Sequence, residues 1–417
     1  MNLGGGVPSQ IQIKILEGGL LESKIRGLER LGRLEFKYII LLFMVCLYPL
    51  AVIPHSFDFY GPYPDYFYAP RYVLLGTAAL LALIVLIKER AAINHRVALP
   101  LGGFVLFALT ATLLAAYPVT AWVGSPLRYT GFSTYIFCLI LFLLASRANR
   151  EKLLPCMAAA AALVSLLAVL QLLDLNLVPR EDLRQGITAY GTLGTPDNVG
   201  TYAAFVLPAS LYLYIARQQS RWLTVIALIY GGLLLSFTWG AWIGALAGMA
   251  AVGLCYRRTG HKGLWLRLAG LLLMVTLLFA AGTEVWDLQK RVGVVNPWEQ
   301  LIVMQNTGKL FLSSWEFGLG PDHLFHVIRI LPMVPLLDKT PNLYLETAVT
   351  LGGFALAAYL IFLGNILWRG RKDVLLAMMI VYLVQGLFYS EGLLLMPLFW
   401  IVLGLSQNGR GIEKPQS

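Results

Sequence analysis

The chain has 417 residues and a mean hydropathy of +0.71, with 58% hydrophobic residues and only 13% charged residues. Soluble domains carry about 25% charged residues, so this composition excludes a water-soluble globular protein. The net charge of +10 does not indicate nucleic-acid binding, because the lysines and arginines lie in short clusters between apolar runs and form no basic stripe.

Apolar runs recur from residue 37 to residue 406 and leave no room for a separate soluble domain. Their lengths predict an all-α membrane protein, a polytopic bundle of about twelve transmembrane helices within the lipid bilayer. The approximate centres of these spans are Val45, Leu80, Leu106, Leu139, Leu163, Leu207, Leu228, Leu246, Leu272, Ala357, Val381 and Trp400.

The two ends of the chain flank this domain. In residues 8–35, apolar and charged positions alternate at helical spacing, which predicts that residues 1–36 form an amphipathic segment on the cytoplasmic membrane surface. Residues 407–417 are predicted to form a cytoplasmic tail. The first apolar run lacks a small-residue cleavage site, so no cleavable signal peptide is predicted.

The charge distribution predicts the orientation of the spans. With the N-terminus inside, the inner segments hold 23 of the 32 lysines and arginines, and the outer segments hold the other nine. Because loops retained in the cytoplasm collect Lys and Arg, both termini are predicted to be cytoplasmic in the inner membrane of a bacterium. The same threading places a large extracytoplasmic loop at residues 283–341, with a helix-like stretch from Pro297 to Leu312.

Arginines on the outer side run against this charge bias and are therefore candidate functional residues. Arg128 follows a turn that enters a span, Arg291 lies in the large loop, and Arg184 lies close to Arg180 in another outer loop. A guanidinium binds phosphate oxygens in a bidentate manner, so several of these arginines could bind a lipid-linked diphosphate. A surface salt bridge or a lipid head-group contact is the alternative for each one.

A polar, glycine-rich stretch from Tyr190 to Tyr202 leads into an apolar helix. Its Asp197 and Asn198 could cap the helix N-terminus, where an anion is favoured; a capped helix without a ligand is the alternative. No Gly-Lys-Ser/Thr follows, so the stretch is not a P-loop.

Motifs for metal or cofactor chemistry are not found, since HExxH, GxSxG and Walker A patterns are absent from the sequence. His323 and His326 are three residues apart, but they lack an obvious third metal ligand beyond Asp322. We therefore predict neither a metal nor a cofactor. The midspan positions are almost entirely apolar, which argues against an ion-coupled transporter.

Five polar or glycine-rich segments follow one another along the chain, namely Gly124-Ser-Pro-Leu-Arg-Tyr-Thr-Gly-Phe132, Gly191-Thr-Leu-Gly-Thr-Pro-Asp-Asn198, Ser236-Phe-Thr-Trp-Gly-Ala-Trp-Ile-Gly244, Phe317-Gly-Leu-Gly-Pro-Asp322 and Asp338-Lys-Thr-Pro-Asn-Leu-Tyr-Leu-Glu346. In this order they resemble the O-antigen ligase family of bacterial envelope glycosyltransferases. The resemblance runs from about residue 59 to residue 405, nearly the whole chain.

The resemblance implies transfer of a glycan from undecaprenyl diphosphate to an acceptor hydroxyl at the outer face of the cytoplasmic membrane, during surface polysaccharide assembly. It implies a metal-independent transfer in which arginines hold the diphosphate and stabilise its developing charge, so that no general acid is needed, and it assigns the acceptor proton to a histidine. It assigns substrate binding to Arg128, Arg291, Arg184, Asn198, Asn342 and Tyr344.

The sequence departs from the family pattern at two positions. Pro341 occupies the position of the family histidine, and Trp239 occupies the position of a family arginine. Another group would then act as the base, with Glu346, Asp338 and His323 as candidates. The alternative is a non-catalytic family member, or a membrane protein that binds or transports a lipid-linked glycan.

Overall fold

A computed structural model describes residues 36–53, 65–88, 95–126, 128–178, 188–257, 262–288, 292, 297–324, 326, 339–369, 373–390 and 392–407. Every regular element within these ranges is a helix, as the sequence predicts. The predicted amphipathic segment 1–36, except for its last residue, lies outside the described ranges, as does the predicted tail 407–417 beyond its first residue.

The helices are numbered here in chain order. They are α1 (Phe36–Leu50), α2 (Tyr68–Lys88), α3 (His95–Leu114), α4 (Pro118–Val123), α5 (Phe132–Ala145), α6 (Arg150–Leu172), α7 (Pro196–Arg217), α8 (Arg221–Leu235), α9 (Trp239–Tyr256), α10 (Lys262–Trp286), α11 (Pro297–Ser313), α12 (Leu343–Leu351), α13 (Gly353–Arg369), α14 (Val374–Gln385) and α15 (Met396–Leu405).

Six of the described helices are long and apolar enough to cross a membrane, namely α2, α3, α6, α7, α9 and α10. A span needs about 20 residues, because an α-helix rises about 1.5 Å per residue through a hydrocarbon core of about 30 Å. Six shorter apolar helices of 10–17 residues accompany them. The chain is therefore a helical membrane protein, while the full number of about twelve spans stays a prediction.

Helix α7 lies at the centre of the bundle. In its apolar window 89% of the residues are buried, whereas in α10 only 6% are. Helix α7 packs against α6, α8, α9 and α14, and α10 packs against α8. Every residue of the short helix α15 is also buried, chiefly against α5. The apolar surface of α10 suits lipid contact, since most of it has no protein neighbour.

Long-range hydrogen bonds distinguish the two ends of the bundle. At one end, the Tyr212 hydroxyl near the end of α7 donates to Oε1 of Glu151 at 2.9 Å, and Arg150 forms an ion pair with Asp373. At the other end, Asn198 near the start of α7 accepts a hydrogen bond from the Tyr389 hydroxyl. We call the first the Asp373 end and the second the Asp322 end, after a buried residue described below.

Arg71, in the first turn of α2, has a structural role that the charge pattern did not predict. It is fully buried, and its guanidinium donates to four backbone carbonyl oxygens. The acceptors are Tyr48 at 3.1 Å, Phe67 at 2.6 Å, Pro49 at 2.9 Å and Thr192 at 2.8 Å. This fork ties the end of α1 to the glycine-rich segment before α7, which fixes that segment at the Asp322 end.

Within the predicted loop 283–341, the structure contains α11, close to the predicted helix-like stretch. Helix α11 packs against α12. The Thr307 hydroxyl of α11 lies 2.9 Å from the Thr340 hydroxyl, which places α11 at the Asp322 end.

Candidate functional site

A buried carboxylate at the Asp322 end joins two motif segments that are distant in sequence. Oδ2 of Asp322 accepts hydrogen bonds from the Ser125 amide at 2.6 Å, the Ser125 hydroxyl at 2.9 Å and the Thr130 amide at 3.4 Å. Gly124 has a φ of +108°, and a Cβ there would lie 2.4 Å from the Thr130 nitrogen, so this turn requires glycine. Asp322 thus holds the tight loop from which Arg128 projects.

Lys339 links this loop to the segment that leads into α12. Its Nζ donates to the Thr130 hydroxyl at 2.6 Å and lies 3.6 Å from Oδ1 of Asp322 and 4.0 Å from Oε1 of Glu346. All three charged side chains are buried. Burying charges is unfavourable unless they are paired and hydrogen-bonded. The charges of this Asp-Lys-Glu cluster are paired, but Oδ1 of Asp322 has only its ion-pair contact with Lys339 and no hydrogen bond among the described residues.

Glu346 stabilises the turn before its own helix. Its Oε2 accepts the Thr340 amide at 2.9 Å, and the side chain is only 5% exposed. The side-chain oxygen of Asn342 caps α12 by accepting the Leu345 amide at 2.8 Å, as expected for an N-cap asparagine. As a general base, Glu346 would need access to a substrate hydroxyl, and in this conformation it is enclosed.

The imidazole of His323 is also fully used within the protein. Its Nε2 accepts the Tyr117 amide at 3.1 Å, and Nδ1 lies 3.0 Å from the Pro321 carbonyl oxygen. Because the amide can only donate and the carbonyl can only accept, the proton of the neutral ring resides on Nδ1. Burial lowers the pKa of His323, against smaller opposing effects of the Pro321 carbonyl and the Asp322 charge.

His326 is the more accessible imidazole of the two. It is half-buried, its ring stacks on Tyr117 with 4.0 Å between centroids, and its Nε2 lies 2.9 Å from the Thr120 hydroxyl. The sequence placed His326 three residues after His323 but assigned it no role other than in a metal pair. Within the described ranges, no group of three or more His, Cys, Asp or Glu side chains could hold a metal ion.

Three of the predicted substrate-binding side chains make internal hydrogen bonds at the same end. Nδ2 of Asn198 donates to the Tyr68 hydroxyl and to the Leu193 carbonyl oxygen, each at 3.0 Å. Nδ2 of Asn342 donates to the Leu387 carbonyl oxygen at 3.0 Å, and the Tyr344 hydroxyl donates to that of Leu383 at 2.7 Å. The bonds of Asn342 and Tyr344 fasten the start of α12 to the end of α14.

The two departures from the family pattern lie at the Asp322 end as well. Trp239 begins α9 and is 60% exposed, and its ring centroid is 5.3 Å from that of Trp242. The neighbouring Thr238 hydroxyl donates to Oδ1 of Asp197 at 2.9 Å. Pro341 is half-buried in the turn that precedes α12.

Arg128 is the predicted phosphate-binding arginine that the structure describes. It is half-buried, and its backbone amide donates to the Ser125 carbonyl oxygen at 3.2 Å, inside the loop that Asp322 holds. Arg184, Arg291 and the candidate base Asp338 lie outside the described residues.

The Asp322 end therefore combines a rigid, internally bonded frame with groups that reach its surface. Arg128 can bind an anion, the His326 imidazole can accept a proton, and the exposed Trp239 ring offers an apolar face. In comparisons with known proteins, no protein-family model matches the chain, and no curated protein matches it in sequence.

Proposed function

We propose that the protein binds an undecaprenyl-diphosphate-linked glycan at the Asp322 end and transfers the glycan to an acceptor hydroxyl, in the manner of the O-antigen ligase family that its motifs resemble. The acceptor would be approached at the outer face of the bacterial cytoplasmic membrane, during surface polysaccharide assembly. No cofactor is required, because the diphosphate is itself the leaving group.

One observation carries this proposal: the five motif segments that suggested it lie at the same end of the bundle. Ser125 contacts Asp322 across 197 positions, and Thr130 contacts Lys339 across 209. Asp197, at the start of α7, contacts Thr238 at the start of α9. Either packing alone or a common site can explain why segments so far apart in sequence lie together. Their polar composition favours a common site.

The chemistry assigns separate roles to the surface groups of this end. Arg128 binds the diphosphate and stabilises the negative charge that develops as the glycosyl carbon–oxygen bond breaks, and the resemblance adds Arg291 and Arg184 to this role. The acceptor oxygen forms the new bond to that carbon. We assign the acceptor proton to His326, because its half-buried imidazole is more accessible than the buried side chains of Glu346 and His323.

A second candidate function is binding of the lipid-linked glycan without transfer. The same internal bonds of Glu346 and His323 favour it, and so do Pro341 and Trp239 at the positions of the family histidine and arginine. The two functions share the diphosphate site and differ in the need for a base.

Binding and turnover of undecaprenyl diphosphate carrying a glycan, measured in proteoliposomes, separate these functions. We expect the wild-type protein to bind this lipid more tightly than undecaprenol and to release undecaprenyl diphosphate when a hydroxyl acceptor is supplied. His326→Gln should retain binding and lose release. Binding without release in the wild type would support the second function, and equal binding of the lipid and of undecaprenol would refute both.

The proposal includes an orientation with both termini in the cytoplasm. The Asp373 end carries many of the basic residues that flank the described helices, among them Arg147, Arg150, Lys152, Arg217 and Arg221, and this is the side that cytoplasmic loops favour. The Asp322 end then faces outward, where lipid-linked glycans are used.

Cysteine labelling tests this orientation. Gln305 is exposed on α11 at the Asp322 end, and Gln219 is exposed in the turn after α7 at the other end. In a variant lacking the four native cysteines, Gln305→Cys should react with an impermeant maleimide added outside intact cells, whereas Gln219→Cys should react only after lysis. The reverse pattern would invert the proposed topology.

A further inference from the structure

A pocket at the Asp322 end lies between the start of α12 and the end of α14. Its empty volume is about 230 Å³, counting the part that opens to solvent. Only about one water molecule fits into it in this conformation. Side chains that line it include Leu343, Tyr382, Gln385, Tyr389, Ser390 and Leu395.

Gln385, the last residue of α14, places an unpartnered amide at this pocket. The side chain is only 2% exposed, and neither Nε2 nor Oε1 has a hydrogen-bond partner among the described residues. Leaving a buried polar group unsatisfied is unfavourable, and such groups in native proteins call for a ligand, a water or a functional role. Gln385 packs closely on the glycine-lined face of α9, because a Cβ on Gly244 would lie 3.1 Å from the Gln385 Cβ. An apolar residue at position 385 could make this contact without burying an unsatisfied amide.

The chemistry of the lining selects the kind of ligand. A primary amide offers two donors and one acceptor, so it can both give a hydrogen bond to a hydroxyl oxygen and accept one from the same group. The described lining residues carry no charge, which disfavours a phosphate. Because the pocket fits only one small polar group, one hydroxyl of the ligand would enter it while the rest of the ligand stays outside.

The pocket lies next to the proposed diphosphate site. The Leu343 amide donates to the Gly386 carbonyl oxygen at 2.7 Å, and Leu343 is only four positions after Lys339, which holds the Arg128 loop through Thr130. Four extended residues span at most about 14 Å. The short segment 339–343 therefore connects the pocket to the loop that contains Arg128, at the same end of the bundle.

We propose that Gln385 is the recognition group of a sugar subsite, in which its amide exchanges hydrogen bonds with one hydroxyl of the lipid-linked glycan. The inference rests on the proposed function and specifies which part of that ligand the pocket recognises. Tyr389, hydrogen-bonded to Asn198, forms one wall of the subsite and fixes it relative to α7.

The test compares Gln385→Met, which keeps the side-chain length and removes the amide, with the exposed control Gln305→Met. Binding is measured with two lipids, undecaprenyl diphosphate and undecaprenyl diphosphate bearing N-acetylglucosamine. We expect the sugar to tighten wild-type binding by about tenfold, and we expect Gln385→Met alone to lose this gain while binding the sugar-free lipid normally. Its melting temperature without lipid should be unchanged or higher, because the unsatisfied amide is gone.

Three outcomes would overturn the subsite. If Gln385→Met keeps the gain in affinity and melts earlier, the amide serves a bound water only. If the sugar gives no gain in the wild type, the pocket does not recognise it, although diphosphate binding stands. If neither lipid binds the wild type, the proposed function itself fails. Should Gln385→Met not fold, Ser390→Ala at the pocket provides the same comparison and should lose part of the gain.

Discussion

Nζ of Lys339 lies 3.6 Å from Oδ1 of Asp322, and both side chains are buried. The two residues are 17 positions apart in sequence. Through Ser125, which contacts Asp322, and Thr130, which contacts Lys339, they hold three separate motifs together. Removing one member of a buried ion pair leaves an uncompensated charge, at a cost of about 3–5 kcal/mol. We expect Asp322→Asn and Lys339→Met each to lower the free energy of unfolding by about this amount.

The double variant should lose less than the sum of the two single losses, with a coupling of at least about 1 kcal/mol. Denaturant unfolding in detergent measures the free energy of unfolding of the wild type, the two single variants and the double variant. As a control, Lys309→Met replaces Lys339→Met in the same cycle. Because Lys309 is exposed, the losses in the free energy of unfolding from Lys309→Met and Asp322→Asn should be additive. Additivity at Lys339 as well would show that the ion pair does not stabilise the site.

His323 makes the stability of the Asp322 end depend on pH. Burial lowers its folded-state pKa, while the unfolded value is about 6.5. Between these two values only the unfolded chain binds the proton, so the contribution of His323 is complete above about pH 6.5 and is lost as pH falls toward the lower folded pKa.

The variant His323→Gln removes this titration and retains an acceptor near the Tyr117 amide. Melting temperatures between about pH 7.5 and pH 5 should therefore fall more steeply for the wild type than for the variant. If the melting temperatures of the wild type and the variant fall equally with pH across this range, His323 is not held neutral by its surroundings.

Much of the helical organisation could be predicted from the sequence. The sequence predicted separate spans around Leu228 and Leu246, and in the structure α8 ends at Leu235 while α9 begins at Trp239. The number of membrane spans could not be predicted as reliably as the positions of the helices. Hydropathy identifies α15 as apolar, but this helix is only ten residues long and wholly buried, and composition does not distinguish such a helix from a spanning one.

At the candidate site, the sequence identified the segments but not the state of their side chains. The sequence offered Glu346 and His323 as candidate bases, and the structure adds that they accept hydrogen bonds from the amides of Thr340 and Tyr117. The partner of His323 is 206 positions away, so no local pattern encodes that bond. The unpartnered amide of Gln385 was equally inaccessible to pattern analysis, because a single glutamine near the end of an apolar helix carries no signal of its own.

Close packing of α15 on α5 gives a prediction with a matched control. A Cβ added at Gly404 would lie 2.4 Å from the Phe142 carbonyl oxygen, whereas one added at Gly364 on α13 would meet nothing within 4 Å. Gly404→Ala should therefore push the two helices apart and cost about 1–3 kcal/mol, as overpacking does. Gly364→Ala should be neutral or slightly stabilising, because alanine favours the helix. Equal thermal stability of the two variants would contradict this packing.

The central claim, that the Asp322 end holds a lipid-linked diphosphate, is tested most directly by the binding of undecaprenyl diphosphate to purified arginine variants. Losing one charge-assisted hydrogen bond to phosphate costs about 1.5–3 kcal/mol, so Arg128→Ala and Arg291→Ala should each bind about ten- to a hundredfold more weakly than the wild type. Arg128→Lys should recover only part of the loss, because the ammonium keeps the charge without the fork. Lys309→Ala, on the exposed face of α11, should bind normally. If both arginine variants bind as tightly as Lys309→Ala, the diphosphate site is not at the Asp322 end and the account is contradicted.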